Sequence, residues 1–179
     1  MTFEEFKNEL EENNIKIQSL PQMLVKTLGE KKLKIATAES CTGGLISKMI
    51  TDVSGASEVF DCGVCSYANE IKAKVLGVRE EDLREFGAVS KEVAMQMAQG
   101  VRELSGADIG ISTTGIAGPT GGSEEKPVGT VFIGVSTVAK NYYLLANLMT
   151  KNATRDNIRQ SAAFLAIYCG FKEAKAENY

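Results

Sequence analysis

Strand-like and helix-like sequence patterns alternate along most of this chain, which excludes all-helical and all-β folds at once. Runs typical of β-strands lie near residues 32–38, 58–67 and 107–114, and each leads into apolar residues at helical spacing. Two further runs, GTVFIGVSTV and YYLLANLM, are separated only by AKN and predict a β-hairpin. Alternation favours parallel neighbours and a hairpin adds an antiparallel pair. We therefore predict an α/β fold, a three-layer α/β/α sandwich around a mixed sheet.

The first thirty residues carry a helical pattern of their own. Apolar residues recur from Phe3 to Leu28 at spacings near 3.6, and Pro21 favours the start of a new helix, so we predict two short helices rather than one. The first twenty residues hold five acidic side chains against two lysines. We divide the chain into an N-terminal helical extension, residues 1–30, and a domain of residues 31–179. The extension is expected to pack on the domain or on a neighbouring subunit.

Charge and hydropathy narrow the classes of partner. The net charge is −3, and acidic and basic residues balance beyond the first twenty positions, whereas proteins that bind duplex DNA usually show a basic patch. No stretch approaches the roughly 20 apolar residues of a membrane span, and the chain starts with acidic residues where a signal peptide is basic. We therefore expect no nucleic acid and no membrane as partner, and a cytoplasmic location with reduced cysteines.

The chain contains no histidine, and this restricts its chemistry. Every Ser-His-Asp or Cys-His arrangement and every metal site built on imidazole is excluded. A serine nucleophile would need another base, such as a lysine whose pKa is lowered. The Walker and GxGxxG phosphate-binding patterns are absent, and no carboxylates have the spacing of a divalent-cation site. We expect no metal and no cofactor.

In a fold of this class, ligands bind outside the carboxyl ends of the parallel strands. Those ends are predicted at ESCTGG, YANE and TTGIAGP, so the three segments should meet. Ser40 lies between a strand and a helix opened by Gly43 and Gly44, where N–H groups and the helix dipole favour negative charge. Alternatively, Ser40 or Thr42 only caps that helix and the glycines allow close packing. Position alone does not decide between the two.

Lys72 is the candidate base. If Asn69 caps the following helix, Lys72 lies in its first turn, where the dipole and burial both disfavour an ammonium. An arbitrary lysine is more often a solvated surface residue. Cys41, beside Ser40, is a rival nucleophile because the same dipole would favour its thiolate. The CGVC run at residues 62–65 falls inside a strand, so we interpret its thiols as packed apolar positions rather than a redox pair.

Arg155 is the candidate anion contact. It follows Thr154, the expected cap of the last helix, and its guanidinium could bind a phosphate there. The alternative is a solvated arginine on an exposed turn. Lys126, in the glycine-rich loop, has the same ambiguity and ranks below Arg155.

Four long segments, taken in order, resemble the CinA C-terminal domain family: TAESCTGGLIS, FDCGVCSYANEIKAKVLGV, FGAVSKEVA and TTGIAGPTGGSEEKPVGTV. The resemblance covers roughly residues 31–169. It implies nicotinamide-nucleotide amidohydrolase activity, in which the carboxamide of nicotinamide mononucleotide is hydrolysed to nicotinate mononucleotide and ammonia. Many members also carry an N-terminal molybdopterin-binding-like domain. We interpret this chain as the stand-alone form and expect a homo-oligomer.

The resemblance also implies roles for individual residues. The serine of AESCTGG, the family's nucleophile, is Ser40, and the lysine of YANEIK, its base, is Lys72. Tyr67 is expected to orient this pair, and an acyl-enzyme would form and be hydrolysed by water. N–H groups near residues 41–44 would stabilise the oxyanion. Substrate contacts are expected from these positions: Glu39, Cys41, Thr42, Gly43, Gly44, Thr114, Gly115 and Arg155.

At residues 153–155 the chain departs from the family pattern, with Ala-Thr-Arg in place of Gly-Asp-Arg. The arginine itself is kept. Two other functions stay open at this point. One is an amidase acting on a different pyridine carboxamide, and the other is a nucleotide-sensing or protein-interaction module, which fits the family's association with competence and DNA damage responses.

Overall fold

The computed structural model describes residues 1–151 and 153–176. Its strands are β1 (Ile35–Glu39), β2 (Phe60–Cys65), β3 (Ile109–Gly115), β4 (Thr130–Ser136) and β5 (Asn141–Asn147). Within the described residues they form a five-stranded sheet in the order β2-β1-β3-β4-β5. β1 runs parallel to β2 and β3, while β4 is antiparallel to β3 and β5. The predicted mixed sheet and the predicted hairpin are confirmed.

Helices cover both faces of this sheet. They are α1 (Phe3–Glu12), α2 (Leu20–Lys31), α3 (Leu45–Thr51), α4 (Asn69–Leu76), α5 (Glu80–Glu85), α6 (Lys91–Ser105) and α7 (Arg155–Lys175). α7 packs on one face with α2 and α3, and α6 packs on the other with α4 and α5. The three-layer α/β/α sandwich is therefore confirmed. None of the helices in the described ranges is long and apolar enough to cross a membrane.

The N-terminal segment forms two helices, as predicted. Thr2 caps α1 in a reciprocal capping box with Glu5, and Pro21 lies in the first turn of α2. Phe6 of α1 is fully buried, with its ring centroid 5.5 Å from that of Tyr168 on α7. The extension thus packs on the domain, and one hydrophobic core continues across the predicted division at residues 30 and 31.

Side chains of β1 alternate between the two cores. Ile35 packs into the core under α7, whereas Ala36 and Ala38 pack into the core under α6. Glycines let α6 approach the sheet closely: a Cβ at Gly110 or Gly134 would lie 2.1 Å from a main-chain oxygen of α6. This close contact fixes β3 and β4 against α6, and so fixes the strand ends that carry the candidate site.

Two local predictions are wrong. Asn69 is the first residue of α4 and not its cap, since Ala68 holds the cap position and makes no side-chain hydrogen bond. Both cysteines of the CGVC run were predicted to pack as apolar residues. Cys62 does contact the core under α6, whereas Cys65 is exposed. The reason is that β2 is an edge strand of the described sheet, and its alternate residues face away from that core. Ser90 and Thr154 cap α6 and α7 as predicted.

Candidate active site

A cavity of about 300 Å³ lies at the carboxyl ends of the three parallel strands. Ser40 and Cys41 line it from the turn after β1, Tyr67 lines it after β2, and residues 115–118 line it after β3. The three segments predicted to meet therefore do meet. Arg155, the first residue of α7, lines the same cavity.

Ser40 lies on a tight turn between β1 and α3. Its N–H donates to Thr113 O at 2.9 Å, which extends the pairing of β1 with β3 by one residue. The chain then reverses through Gly43 and Gly44, whose φ values of +61° and +92° lie in the left-handed region that glycine adopts without strain. The turn leaves Ser40 half-buried, with its residue at the cavity wall.

The side chain of Glu39 stabilises this turn through hydrogen bonds. Its side chain is fully buried, and its carboxylate accepts hydrogen bonds from Gly44 N–H, Ile46 N–H and both the N–H and hydroxyl of Ser47, all between 2.7 and 3.0 Å. A carboxylate at a helix N-terminus satisfies donors that the helix leaves free. The oxygens of Glu39 are occupied by α3 and Glu39 does not line the cavity, so its expected contact with substrate stays a prediction. Gly44 N–H is also occupied and is not available to an oxyanion.

Two threonines expected to contact substrate also face inward. Thr42 is buried, and its Oγ1 lies 2.7 Å from Thr113 Oγ1. Thr114 is 1% exposed and its hydroxyl donates to Ala88 O at 2.7 Å. Both hydroxyls therefore hold strand ends in place, and only Gly115 of the expected β3 pair lines the cavity.

Lys72 lies in α4, and its buried side chain reaches back to the segment after β2, with no carboxylate partner among the described residues. It is 1% exposed, and its Nζ donates to Ser66 O at 2.8 Å and to Tyr67 O at 3.2 Å. Burial lowers the pKa of Lys72 below its ordinary value, against a smaller opposite effect of Cys41 and Cys65. No hydrogen bond joins Lys72 Nζ to Ser40 Oγ within the described part of the chain. Ser66 Oγ, also fully buried, has no hydrogen-bond partner there either.

Tyr67 and Arg155 meet at the rim of the cavity. Tyr67 is 66% exposed, and its hydroxyl accepts a hydrogen bond from Arg155 Nη2 at 3.1 Å. Arg155 Nη1 donates to Gly118 O at 2.6 Å, which ties α7 to the loop after β3. Lys126 instead donates to Phe86 O at 2.9 Å and does not line the cavity. The ranking of Arg155 above Lys126 agrees with this placement.

Cys41 is a poor rival to Ser40 as nucleophile. It is buried, and burial raises the pKa of its thiol to about 12, so the thiol stays protonated at neutral pH. The prediction that the helix dipole favours a thiolate here is wrong, because desolvation outweighs it. In the part of the chain that the structure describes, no cluster of three or more His, Cys, Asp or Glu side chains could hold a metal ion.

Arg159 is a residue that the sequence analysis missed. Its guanidinium donates from Nε to Cys41 O at 3.2 Å and from Nη2 to Thr42 O at 2.7 Å. The available signal was its spacing from Arg155, since residues four apart on a helix share a face. With Arg155 at the cavity, Arg159 lies one turn further along the same face of α7.

The profile of the CinA C-terminal domain matches residues 17–172. The chain belongs to the CinA C-terminal domain family. A relative from Caldicellulosiruptor saccharolyticus, described as competence-damage inducible, is 62% identical over 125 residues, which are 70% of this chain and 30% of that protein. A CinA-like protein of Kosmotoga olearia is 47% identical over 150 residues, 84% of this chain and 36% of that protein. The matched part of this chain therefore spans about a third of the length of these curated relatives.

Solved structures of the CinA superfamily share the fold. The competence/damage inducible protein of Agrobacterium tumefaciens superposes with a TM-score of 0.82 at 38% identity, covering 86% of this chain and 92% of that one. The competence damage-inducible protein A of Klebsiella pneumoniae gives a TM-score of 0.84 at 27% identity, covering 90% of this chain and 99% of that one. The resemblance to this family is confirmed, and so is the α/β fold predicted from the sequence patterns.

Proposed function

We propose that this CinA-family chain hydrolyses the carboxamide of nicotinamide mononucleotide to nicotinate mononucleotide and ammonia, with Ser40 as nucleophile and Lys72 as base. The observation that carries the proposal is the burial of Lys72 without a carboxylate partner in the described residues, next to the cavity that Ser40 lines. A buried, unpaired ammonium costs several kcal/mol, so a lysine at this position disfavours its own charged form. Such perturbed groups beside a cavity are typical of catalytic sites.

The hydrogen bonds of Lys72 fit a neutral amine. A neutral amine has two N–H groups, and Lys72 Nζ has two carbonyl acceptors, Ser66 O and Tyr67 O. When both N–H groups donate, the lone pair on Nζ is the remaining tetrahedral direction and is free to accept a proton. A lysine held in this way can act as a general base for a nearby hydroxyl.

The proposed reaction proceeds in two steps. Ser40 Oγ attacks the carboxamide carbon and its proton passes to Lys72 Nζ, giving a tetrahedral oxyanion. As the C–N bond breaks, Lys72 returns the proton to the leaving nitrogen, which departs as ammonia and leaves an ester on Ser40. Water then attacks this ester, with Lys72 again taking the proton and passing it to Ser40, so that nicotinate mononucleotide is released.

Arg155 supports a nucleotide as substrate rather than a free base. Its guanidinium lies at the cavity rim and has no carboxylate partner among the described residues, so its charge is available to an anion. Guanidinium groups bind phosphate well, and nicotinamide mononucleotide carries one. Tyr67, hydrogen-bonded to Arg155, links this contact to the end of β2.

The test is ammonia release from nicotinamide mononucleotide by the wild type, Ser40→Ala and Lys72→Ala. Lys74→Ala is the matched control, because Lys74 lies on the same helix but is exposed. Cys41→Ala separates the two nucleophiles. We expect turnover by the wild type and both control variants, and none by Ser40→Ala or Lys72→Ala.

Free nicotinamide and the dinucleotide are assayed in parallel. Ammonia from only one of these would show an amidase with another substrate. A folded wild type that releases ammonia from none of the three would overturn the proposal in favour of a nucleotide-binding or partner-binding module.

A further inference from the structure

Arg159 is hydrogen-bonded to the backbone of the turn that follows the proposed nucleophile, Ser40. Its two hydrogen bonds go to successive main-chain carbonyls, Cys41 O at 3.2 Å and Thr42 O at 2.7 Å. The side chain is half-buried and forms no ion pair with a carboxylate in the described residues. Its charge is therefore directed at these two peptide groups.

Each of the two peptide groups whose carbonyl accepts a hydrogen bond from Arg159 also contains an N–H group. In a trans peptide the C=O and N–H bonds point in opposite directions. Holding Cys41 O fixes the direction of Thr42 N–H, and holding Thr42 O fixes that of Gly43 N–H, each away from the guanidinium. The described residues supply no hydrogen-bond acceptor for either N–H, whereas Gly44 N–H is bound to Glu39.

Other contacts make this arrangement rigid. The Thr42 side chain is buried and hydrogen-bonded to Thr113. Thr42 is therefore fixed by its side chain as well as by the hydrogen bonds of Arg159 to the backbone. Gly43 has a φ of +61°, and a Cβ there would lie 3.3 Å from Arg159 Nη2. Glycine thus allows both the turn and the close approach of the guanidinium.

We propose that Arg159 is a positioning residue that fixes the two peptides after Cys41 and Thr42, and that the N–H group of Gly43, the exposed residue of this turn, stabilises the oxyanion formed when Ser40 attacks. The positive charge behind the carbonyls polarises the same peptides and strengthens their N–H groups as donors. Donors held in place before the reaction stabilise developing charge at no reorganisation cost. The proposal rests on the proposed function in that it takes Ser40 as the nucleophile.

The kinetic test compares Arg159→Ala and Arg159→Lys with the wild type in ammonia release from nicotinamide mononucleotide. Loss of an oxyanion contact lowers kcat by about 100-fold, and we expect this with KM unchanged in Arg159→Ala. Lysine cannot hold two carbonyls in the fork geometry, so Arg159→Lys stays well below the wild type. Guanidinium chloride at a non-denaturing concentration should partly restore kcat of Arg159→Ala.

Arg102→Ala is the matched control. Arg102 is also half-buried and donates through Nε to a side chain, Ser136 Oγ at 2.9 Å, on another part of the sheet. This variant should keep its kcat and show no response to guanidinium. An Arg159→Ala enzyme with wild-type kcat, or one with raised KM alone, would overturn the proposal.

A second readout separates this proposal from the choice of substrate. A fluorophosphonate probe labels Ser40 as the Oγ–P bond forms, the P–F bond breaks with loss of fluoride, and the serine proton passes to Lys72. Intact mass should show labelling of the wild type and Arg102→Ala, and much slower labelling of Arg159→Ala. Labelling that depends on Arg159, without turnover of nicotinamide mononucleotide, would reject the proposed substrate and keep the role of Arg159. Equal labelling of Arg159→Ala and the wild type would reject that role.

Discussion

Two buried charged side chains meet neighbouring strand ends in this fold, and their surroundings differ sharply. Glu39, at the end of β1, is fully buried and its carboxylate accepts four hydrogen bonds from α3. Lys72, in α4 with its Nζ at the segment after β2, is as deeply buried but has only two uncharged carbonyls as partners within the described residues. The first site compensates its charge fully and the second does not. Burial of a charge is therefore structural at Glu39, while at Lys72 it favours the neutral amine that a base requires.

Removing the amine should give the largest effect. Lys72→Met keeps an unbranched apolar side chain one atom shorter than lysine but has no base, so ammonia release from nicotinamide mononucleotide should fall by about 1,000-fold or more, within the range for general bases. Lys74→Met, on the exposed side of α4, should keep wild-type activity. Activity of Lys72→Met within tenfold of the wild type would place the base elsewhere.

Weakening the compensated site should cost stability. In Glu39→Gln an amide N–H₂ faces the donors of α3, so at least one buried donor loses its acceptor. We expect the free energy of unfolding to fall by about 3 kcal/mol, measured by urea denaturation. Glu30→Gln, at an exposed carboxylate, should change it by less than about 0.5 kcal/mol. If the two variants were equally stable, Glu39 would not hold the turn.

The opposite result is expected at the uncompensated site. Because the pKa of Lys72 is lowered in the folded state, the unfolded chain binds the proton more tightly, and Lys72 reduces stability at neutral pH. Lys72→Met should therefore raise the free energy of unfolding by about 1 to 2 kcal/mol at neutral pH. This gain should shrink as the pH rises toward the ordinary lysine pKa of 10.5 and vanish above it, where the amine is neutral in both states. A loss of stability at neutral pH would show that the ammonium is compensated after all.

Ser66 should give the smallest effect. Its hydroxyl is buried without a hydrogen-bond partner, so Ser66→Ala removes a desolvated polar group and breaks no bond of the described structure. We expect the Tm of thermal unfolding to be unchanged, or to rise by an amount that corresponds to about 1 kcal/mol in the free energy of unfolding. The buried, hydrogen-bonded Ser112 offers the contrast, since Ser112→Ala loses the bond to Ala94 O and should be destabilised. Equal destabilisation of both variants would mean that Ser66 Oγ is bonded in solution.

The fold was predictable because its signals are local. Alternating patterns and the short AKN connection indicated a mixed sheet, and Ser90 and Thr154 marked helix starts correctly. Boundaries were less accurate: the first strand begins at Ile35 and not at residue 32, because Lys32 ends α2 in the left-handed conformation with φ of +57°. Such an end depends on the preceding helix, which the strand pattern does not report.

The candidate site was predictable in its location but not in the contacts of its residues. Strand-end motifs placed Ser40, Tyr67 and residue 115 around one cavity. Glu39 and Thr42 lie in the same motif, yet their polar side chains point into the protein. The role of Arg159 depends on how α7 packs against a turn more than one hundred residues earlier, and its spacing from Arg155 indicates a shared helix face but not which atoms it contacts.

The titration of Lys72 tests most directly whether its amine is available as a base in the folded protein. NMR of protein labelled with ¹³C and ¹⁵N lysine follows each side chain with pH, and the Lys72 signal is the one missing from Lys72→Met. We predict that this signal titrates clearly below the ordinary lysine pKa of 10.5, and that kcat/KM for ammonia release rises with pH through the same value. A Lys72 signal that titrates at or above 10.5 would contradict this role, because the amine would then be charged at neutral pH.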